Sequence, residues 1–184
     1  MKPRLMHGCN WTGQNVAGWW ISEKLDGWRA YWDGHAFFTR QGRTLPAPDW
    51  FKTGMPEQPL DGELWAGPGT THDDVNAAVL SGEWGRLSYR PFDIPALGVK
   101  VEAAMAILAS LPLPGHCRPV EYWRVGSTAE AMSSMMLVVE AGGEGVMLRK
   151  AGAGYAPDYR TEKLLKLTPQ TVGSCGQESV RRAP

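Results

Sequence analysis

Lys24 stands where a lysine is rarely found, at the end of an apolar, strand-like run (Trp19, Trp20, Ile21), with a carboxylate and a glycine close behind it in Lys24-Leu-Asp-Gly27. An amine presented this way can serve as a nucleophile, provided it loses its proton. A lysine of ordinary pKa, ~10.4, is neutral in only about one molecule in several thousand at pH 7. Neighbouring cations, a metal ion and partial desolvation each favour the neutral amine. A nucleophilic Lys24 therefore requires other basic residues to converge on it, and Arg29, Arg40, Lys163 and Lys166 are the candidates. Alone, a K-x-D-G motif is more often a solvated lysine beside a turn; its weight here comes from segments that follow downstream in order.

Those segments need a scaffold, and the pattern of the chain predicts one of mixed type. Trp28, Ala30 and Trp32 alternate with Arg29 and Tyr31 as in a strand, and Asp33-Gly34 is a hairpin signal with His35–Thr39 as the return. Gln41-Gly42 makes a second turn flanked by Arg40 and Arg43. Residues 46–51 read as a short helical or irregular piece. Over 59–65 a period of two puts Asp61, Glu63 and Trp65 on one face, with Leu60 and Leu64 on the other. A helix follows Asp73 and Asp74 and closes near Gly82, and 87–94 is strand. Val101–Ser110 is an amphipathic helix stopped by Pro112 and Pro114, and 120–125 is strand. Ser127-Thr-Ala-Glu130 is a capping-box pattern opening a helix through Glu140, with Gly142 and Gly143 to close it. Residues 145–150 are extended, and 163–168 form a last strand with Lys166 and Thr168 on one face. Residues 1–18 read as irregular. The irregular mixture of strands and helices predicts an α+β fold, not a doubly wound sheet.

Composition narrows the function classes. The chain of 184 residues suits one well-filled core with a short tail, and its nine Trp and 43% hydrophobic residues argue for a globule. Lys plus Arg equals Asp plus Glu at 19 each, so any nucleic-acid contact has to come from a local basic patch. Cys9, Cys117 and Cys175 are far apart, with no C-x-x-C spacing for zinc or a disulfide framework. The N-terminal residues lack the apolar run of a signal peptide, and no stretch approaches the ~18 apolar residues of a membrane span. These features lead us to expect a cytoplasmic, monomeric protein without membrane contact. The division expected is a folded region over 1–168 and a polar, disordered tail over 169–184.

In chain order, the segments carrying chemistry are Lys24-Leu-Asp-Gly27, Thr39-Arg-Gln-Gly42, Asp61-Gly-Glu63, Phe92-Asp-Ile94, Glu144-Gly-Val-Met147 and Leu164-Leu-Lys166. In this order and spacing the chain resembles the covalent nucleotidyltransferases, and among them the ATP-dependent DNA ligases of the small bacterial and phage type. The likeness covers roughly residues 20–168. It implies the adenylation-domain fold, with antiparallel sheets flanked by helices and a cleft for ATP between them.

By that resemblance Lys24 attacks the α-phosphorus of ATP, expels pyrophosphate and holds AMP through a phosphoramide bond, a step of positioning and charge neutralisation. Asp26 and Gly27 shape the turn that presents it. Arg29 and Arg40 resemble arginines that contact the nucleotide or the 5′-phosphate of a nick, a task suited to a planar fork of donors. Glu63 resembles the carboxylate that accepts the ribose hydroxyl, and Phe92 the ring that stacks on adenine. Glu23, Arg160 and Lys166 complete the nucleotide-binding set, with Lys166 also catalytic. Glu144 resembles the acidic ligand of a magnesium ion, for which one carboxylate plus phosphate oxygens and water suffices.

Two departures stand out. The last family motif is Lys-x-Lys, whereas Lys166-Leu-Thr168 ends in threonine, and Lys163 lies on the opposite strand face. The family also follows its core with a five-stranded OB barrel, and the residues after Thr168 are too few to form one. Either the sequence is a truncated form, or sealing a nick in double-stranded DNA draws on a partner supplying that function. The implied activity belongs to DNA repair, replication and recombination. An RNA ligase, a capping guanylyltransferase, or a nucleotide- or DNA-end-binding module without catalysis are the alternatives.

Overall fold

In the computed structural model, which describes residues 2–96 and 98–173, the alternating segments become strands of two sheets. The chain runs β1 (His7–Asn10), β2 (Trp20–Glu23), β3 (Trp28–Trp32), β4 (Phe37–Thr39), α1 (Asp49–Lys52), β5 (Leu60–Trp65), α2 (His72–Ser81), β6 (Ser88–Asp93), α3 (Val101–Ser110), β7 (Trp123–Arg124), α4 (Thr128–Glu140), β8 (Val146–Arg149) and β9 (Arg160–Leu167). A five-stranded sheet has the order β1-β9-β8-β2-β7, and a four-stranded sheet the order β4-β3-β5-β6. β1 runs parallel to β9, and the other named strand pairs are antiparallel. This is the α+β architecture expected.

Each sheet buries one face under helices. On the four-stranded sheet Ala30, Trp32, Phe37, Leu60, Leu64 and Tyr89 pack with Phe51 of α1, Val75 and Val79 of α2, and Ala104 and Leu108 of α3. Rings interlock edge to face: Phe37 with Tyr89 at 4.9 Å, and Phe51 with Trp84 at 4.9 Å between centroids. Trp84 reaches this core through a 3₁₀ turn at Trp84–Arg86 that the sequence pattern did not suggest. Even the buried Tyr89 phenol is satisfied, donating within reach of the Ala30 and Leu60 carbonyls at 3.1 Å. The five-stranded sheet packs Ile21, Val146, Leu148, Leu165 and Leu167 against Ala131 and Met135 of α4. At about 1.5–3 kcal/mol per large apolar side chain, these two cores hold the sheets. Their other faces turn toward each other.

Four segments differ from expectation. His7–Asn10, read as irregular, is a strand, because its hydrogen-bond partners come from β9 and not from any neighbour in sequence. Residues 120–125 do not form one strand. Arg118 and Val120 donate to Tyr89 and Pro91 of the four-stranded sheet at 3.0 and 2.9 Å, whereas Trp123 and Arg124 pair with β2, so the segment crosses between sheets. β9 begins at Arg160, three residues earlier than read, where β1 provides a second edge. The tail expected to be disordered from 169 instead opens with a helical turn over 169–173, held by the Thr171 and Val172 N–H groups on the Thr168 carbonyl at 3.1 and 3.2 Å. The rest of that expected tail, 174–184, lies outside the described residues.

Candidate active site

Lys24 follows the last residue of β2, where the chain leaves one sheet for the other. Its backbone N–H is fixed on the Gly145 carbonyl at 2.9 Å. The crossing is tight: a Cβ at Gly27 would collide with the Leu64 carbonyl oxygen and lie 2.9 Å from Glu63 Cγ. Glycine at this position lets the turn press onto β5, which brings Glu63 under Lys24. Gly145, at φ +142°, plays the matching part across the cleft, since a Cβ there would lie 2.5 Å from the Leu167 carbonyl oxygen. The approach of β8 to the end of β9 sets Glu144 beside Lys24, and the two form an ion pair.

Between the facing sheets lies a cavity of about 300 Å³. From the five-stranded side it is lined by Ser22, Glu23, Lys24, Met147, Arg149, Arg160, Leu164 and Lys166, and from the four-stranded side by Arg29, Glu63, Phe92 and Asp93, with Arg40 at its rim. Strand alternation explains the selection. Val146 and Leu148 point into the apolar core and Met147 and Arg149 into the cavity; Leu165 and Leu167 do the first and Leu164 and Lys166 the second.

Arg29 is clamped on both oxygens of Asp61, with Nε–Oδ1 at 2.9 Å and Nη2–Oδ2 at 2.5 Å, and its guanidinium sits 5.4 Å from the centre of the Phe92 ring. Asp61 is fully buried and also accepts from the Tyr155 hydroxyl at 2.7 Å, which in turn accepts from the Met6 N–H at 3.1 Å. A second buried pair, Arg149 with Asp93, ties the two sheets together, and Asp93 also accepts from the Ile94 N–H at 2.9 Å. Nε and Nη2 of Arg149 are buried without a hydrogen-bond partner.

Burial pushes the Glu63 carboxyl up to about 8, with Asp61 and Glu144 adding repulsion against the attraction of Arg29 and Lys24. Asp93 is pushed up to about 6, again by burial, with Arg149 opposing. Lys166 is lowered by burial first and then by the charges of Lys24, Arg160 and Arg40. His7 is lowered by burial and by Arg29, Arg40 and Arg160. The cavity thus gathers positive charge around Lys24 and the Phe92 ring, an environment for a polyanion carrying a flat group.

Every residue read as a candidate for the nucleotide, Glu23, Lys24, Arg29, Arg40, Glu63, Phe92, Arg160 and Lys166, lines this one cavity, and Glu144 joins it through Lys24. Lys163 does not: it is exposed on β9, outside the lining. Thr168 does not share the Lys166 face either. It lies beyond the end of β9, buried, with its N–H on Thr171 Oγ1 at 2.9 Å. Arg149 and Tyr155 went unread. The alternation from Val146 would have put Arg149 on the Met147 face, but nothing local announces that Tyr155 holds Asp61.

A divalent cation can be tested against the donors present. Among the described residues no group of three or more His, Cys, Asp or Glu side chains could hold a metal ion. The mutual repulsion that Glu63 feels from Glu144 is what a cation beside them would relieve. Carboxylates with further oxygens from a phosphate ligand suit magnesium, so the residues fit.

No family model matches the chain. It is 31% identical over 177 residues to a DNA ligase of Haemophilus influenzae, a match covering 93% of this chain; the chain spans 65% of that curated relative's length. A solved structure of a Lig E DNA ligase, studied for DNA binding with a minimal scaffold, superposes with a TM-score of 0.83 and 31% identity over 89% of this chain and 68% of that one. The Chlorella virus DNA ligase-adenylate gives 0.67 at 20% identity, over 91% and 69% of the two chains. The ATP-dependent ligase of bacteriophage T7 in complex with ATP gives 0.70 at 13%, over 92% and 69%. These last two bear on the fold alone.

Proposed function

We propose that this chain, which belongs to the DNA ligase family, is the adenylation core of an ATP-dependent enzyme, taking ATP in the cavity between its sheets and AMP onto Lys24. The observation that carries the reading is the Lys24 amine set beside Glu144 in the same cavity as Arg29, Arg40, Lys166 and Phe92. Lys24, held by Glu144, gives its ammonium proton up to water, and Nζ forms the P–N bond to the α-phosphorus while the P–O bond to pyrophosphate breaks. Lys166, Arg40 and Arg160 draw charge from the phosphate oxygens. Arg29, anchored by Asp61, backs Phe92, whose ring takes the adenine face. Glu63 in its ionised form accepts a ribose hydroxyl.

Glu144 would hold a magnesium ion together with phosphate oxygens and water, and the ion when bound would neutralise charge on the triphosphate. In the second step an oxygen of a DNA 5′-phosphate takes the adenylyl group and Lys24 leaves as the free amine. The substrate proposed is double-stranded DNA carrying a nick with a 5′-phosphate.

Intact mass spectrometry after ATP and magnesium tests this directly. The wild type is expected to gain one AMP and Lys24→Ala none, and nicked DNA, in preference to nicked RNA, is expected to discharge the label. A wild type that binds ATP yet gains no mass overturns the reading. Labelling by GTP in place of ATP would turn it toward a capping-type enzyme.

A further inference from the structure

Beside the adenylation cavity, and sharing His7 and Arg40 with it, lies a second cavity of about 460 Å³ lined also by Lys2, Arg4 and Asp158. We propose that this annex is a DNA-backbone subsite, in which Lys2 and Arg4 take phosphates of the strand whose 5′ end enters the cleft, and that Asp158 occupies it in place of a phosphate until DNA arrives. The proposal rests on the DNA reading above and extends it to residues outside the nucleotide's reach.

The chain carries as many acids as bases, 19 of each, so a polyanion has to be held by a local excess of positive charge. The annex has one: Lys2, Arg4 and Arg40 against the single carboxylate of Asp158. It meets the cleft at His7 and Arg40, which leaves room in this proposal for a strand whose 5′ end enters the cleft to continue past Arg4 and Lys2. Phosphate contacts of this kind fix register and orientation without reading sequence.

The Arg4–Asp158 pair has the form of a latch. Arg4 Nε lies 2.5 Å from Asp158 Oδ2, and both side chains are largely exposed, at 73% and 50%. An exposed pair of this kind is weak, so a phosphate can displace the carboxylate. Asp158 is the one non-glycine residue with positive φ, 65°, among the described residues, and its N–H is held on the Leu5 carbonyl at 3.1 Å. The backbone accepts a conformation that side chains seldom adopt in order to aim this carboxylate at Arg4. Next to it Tyr159 leaves 69% of its surface exposed although its carbonyl is fixed by the His7 N–H at 2.9 Å. An open aromatic ring on a backbone anchored to β1, next to Asp158 of the basic pocket, offers an apolar face to a deoxyribose.

The same basic pocket could instead receive the outgoing phosphates of ATP, and the test separates the two sources. The full-length chain, unmodified and after incubation with ATP, is titrated with a fluorescent nicked duplex bearing a 5′-phosphate across a salt series. ATP concentration dependence of self-adenylylation is measured in parallel. The Lys2→Ala/Arg4→Ala double variant is expected to bind DNA about tenfold more weakly at low salt, with the log–log salt slope shallower by about 1–2, and to label with ATP as the wild type does. Tyr159→Ala is expected to weaken binding by about threefold or more, with Tyr159→Phe restoring it. Asp158→Asn, which keeps a residue tolerant of that φ and removes the competing charge, is expected to bind DNA more tightly than the wild type. DNA binding and slope unchanged in the double variant overturn the subsite, and a shifted ATP dependence with unchanged DNA binding assigns the annex to the triphosphate instead. No gain in Asp158→Asn overturns the latch. Absence of AMP transfer in every chain would defeat the adenylation reading while leaving the DNA titration of the unmodified chain to decide the annex.

Discussion

The two faces of the four-stranded sheet bury opposite kinds of side chain. One face covers Phe37, Phe51, Trp84 and Tyr89 with helices; the other holds Asp61 and Asp93 at 0% and 1% exposure against Arg29, Arg149 and Tyr155. The apolar face is stabilised by area removed from water and by ring packing. The polar face costs stability unless each charge keeps its partner. Its arrangement makes sense as a mount: Asp61 fixes Arg29 under Phe92, and the Asp93–Arg149 pair sets the distance between the sheets that the cavity needs. The pushed-up carboxyls of Glu63 and Asp93 show that this region holds more charge than it comfortably solvates.

The sharpest way to break the comparison is to remove one member of each region. Phe37→Ala is expected to cost about 3–5 kcal/mol through lost burial and the cavity left behind. Asp93→Ala is expected to cost a similar amount, about 3–5 kcal/mol, by stranding the Arg149 charge. The two differ in how they can be repaired. Asp93→Leu combined with Arg149→Met is expected to regain the loss, because two nitrogens of Arg149 already lack partners and a well-packed apolar pair demands none. Chemical denaturation of the three variants checks this, with AMP labelling in parallel. A double variant that is as unstable as Asp93→Ala would show that the pair is held by more than its own two charges.

The same contrast explains what was legible beforehand. The apolar face announced itself through Trp28, Ala30 and Trp32 and through Leu60 and Leu64, because a half-buried strand writes a period of two into its own residues. α3 was readable to both ends, Val101 and Ser110, since an apolar periodic run closed by prolines needs no distant partner. β1 was not, because His7–Asn10 becomes a strand only through the remote β9. The crossing over residues 117–124 was unreadable for the same reason: its hydrogen bonds are divided between two sheets. Of the residues gathered at the cavity, Lys24, Glu63 and Glu144 were read from motifs, whereas Arg149 and Tyr155 are held by partners that only the fold supplies. Thr168 was misplaced because the pattern of β9 was extended past Leu167, where Thr171 instead captures the Thr168 backbone.

A second measurement sharpens the polar side alone. The Glu63 carboxyl is raised from 4.5 to about 8, so the folded state holds this proton more tightly than the unfolded chain does. The stability this contributes is fully present below pH 4.5 and is lost as pH rises through about 8. Asp93, raised only to about 6, completes its part of the change at lower pH. Between pH 6 and 9 the wild type is therefore expected to lose thermal stability, and Glu63→Gln to lose less. Equal slopes for the two chains over that interval would remove Glu63 as the source.

The smallest expected effect lies away from both faces, at the start of α4, where sequence and structure agree on the mechanism. Ser127 Oγ accepts from the Glu130 N–H at 3.1 Å, and the Glu130 carboxylate accepts from the Gly126 N–H at 2.7 Å, one residue earlier than the usual reciprocal bond of a capping box. Ser127→Ala removes one partner of an otherwise orphaned helix N–H and is expected to cost about 1 kcal/mol. Glu130→Gln keeps an acceptor for Gly126 and is expected to cost less. Because α4 covers the apolar face of the five-stranded sheet and lines no part of the cavity, both variants are expected to label with AMP at the wild-type rate while their melting temperatures fall. A labelling rate that falls with stability would mean that the cavity depends on α4 staying closed, and that the separation between the region that holds the fold and the region proposed for the chemistry is less complete than the packing indicates.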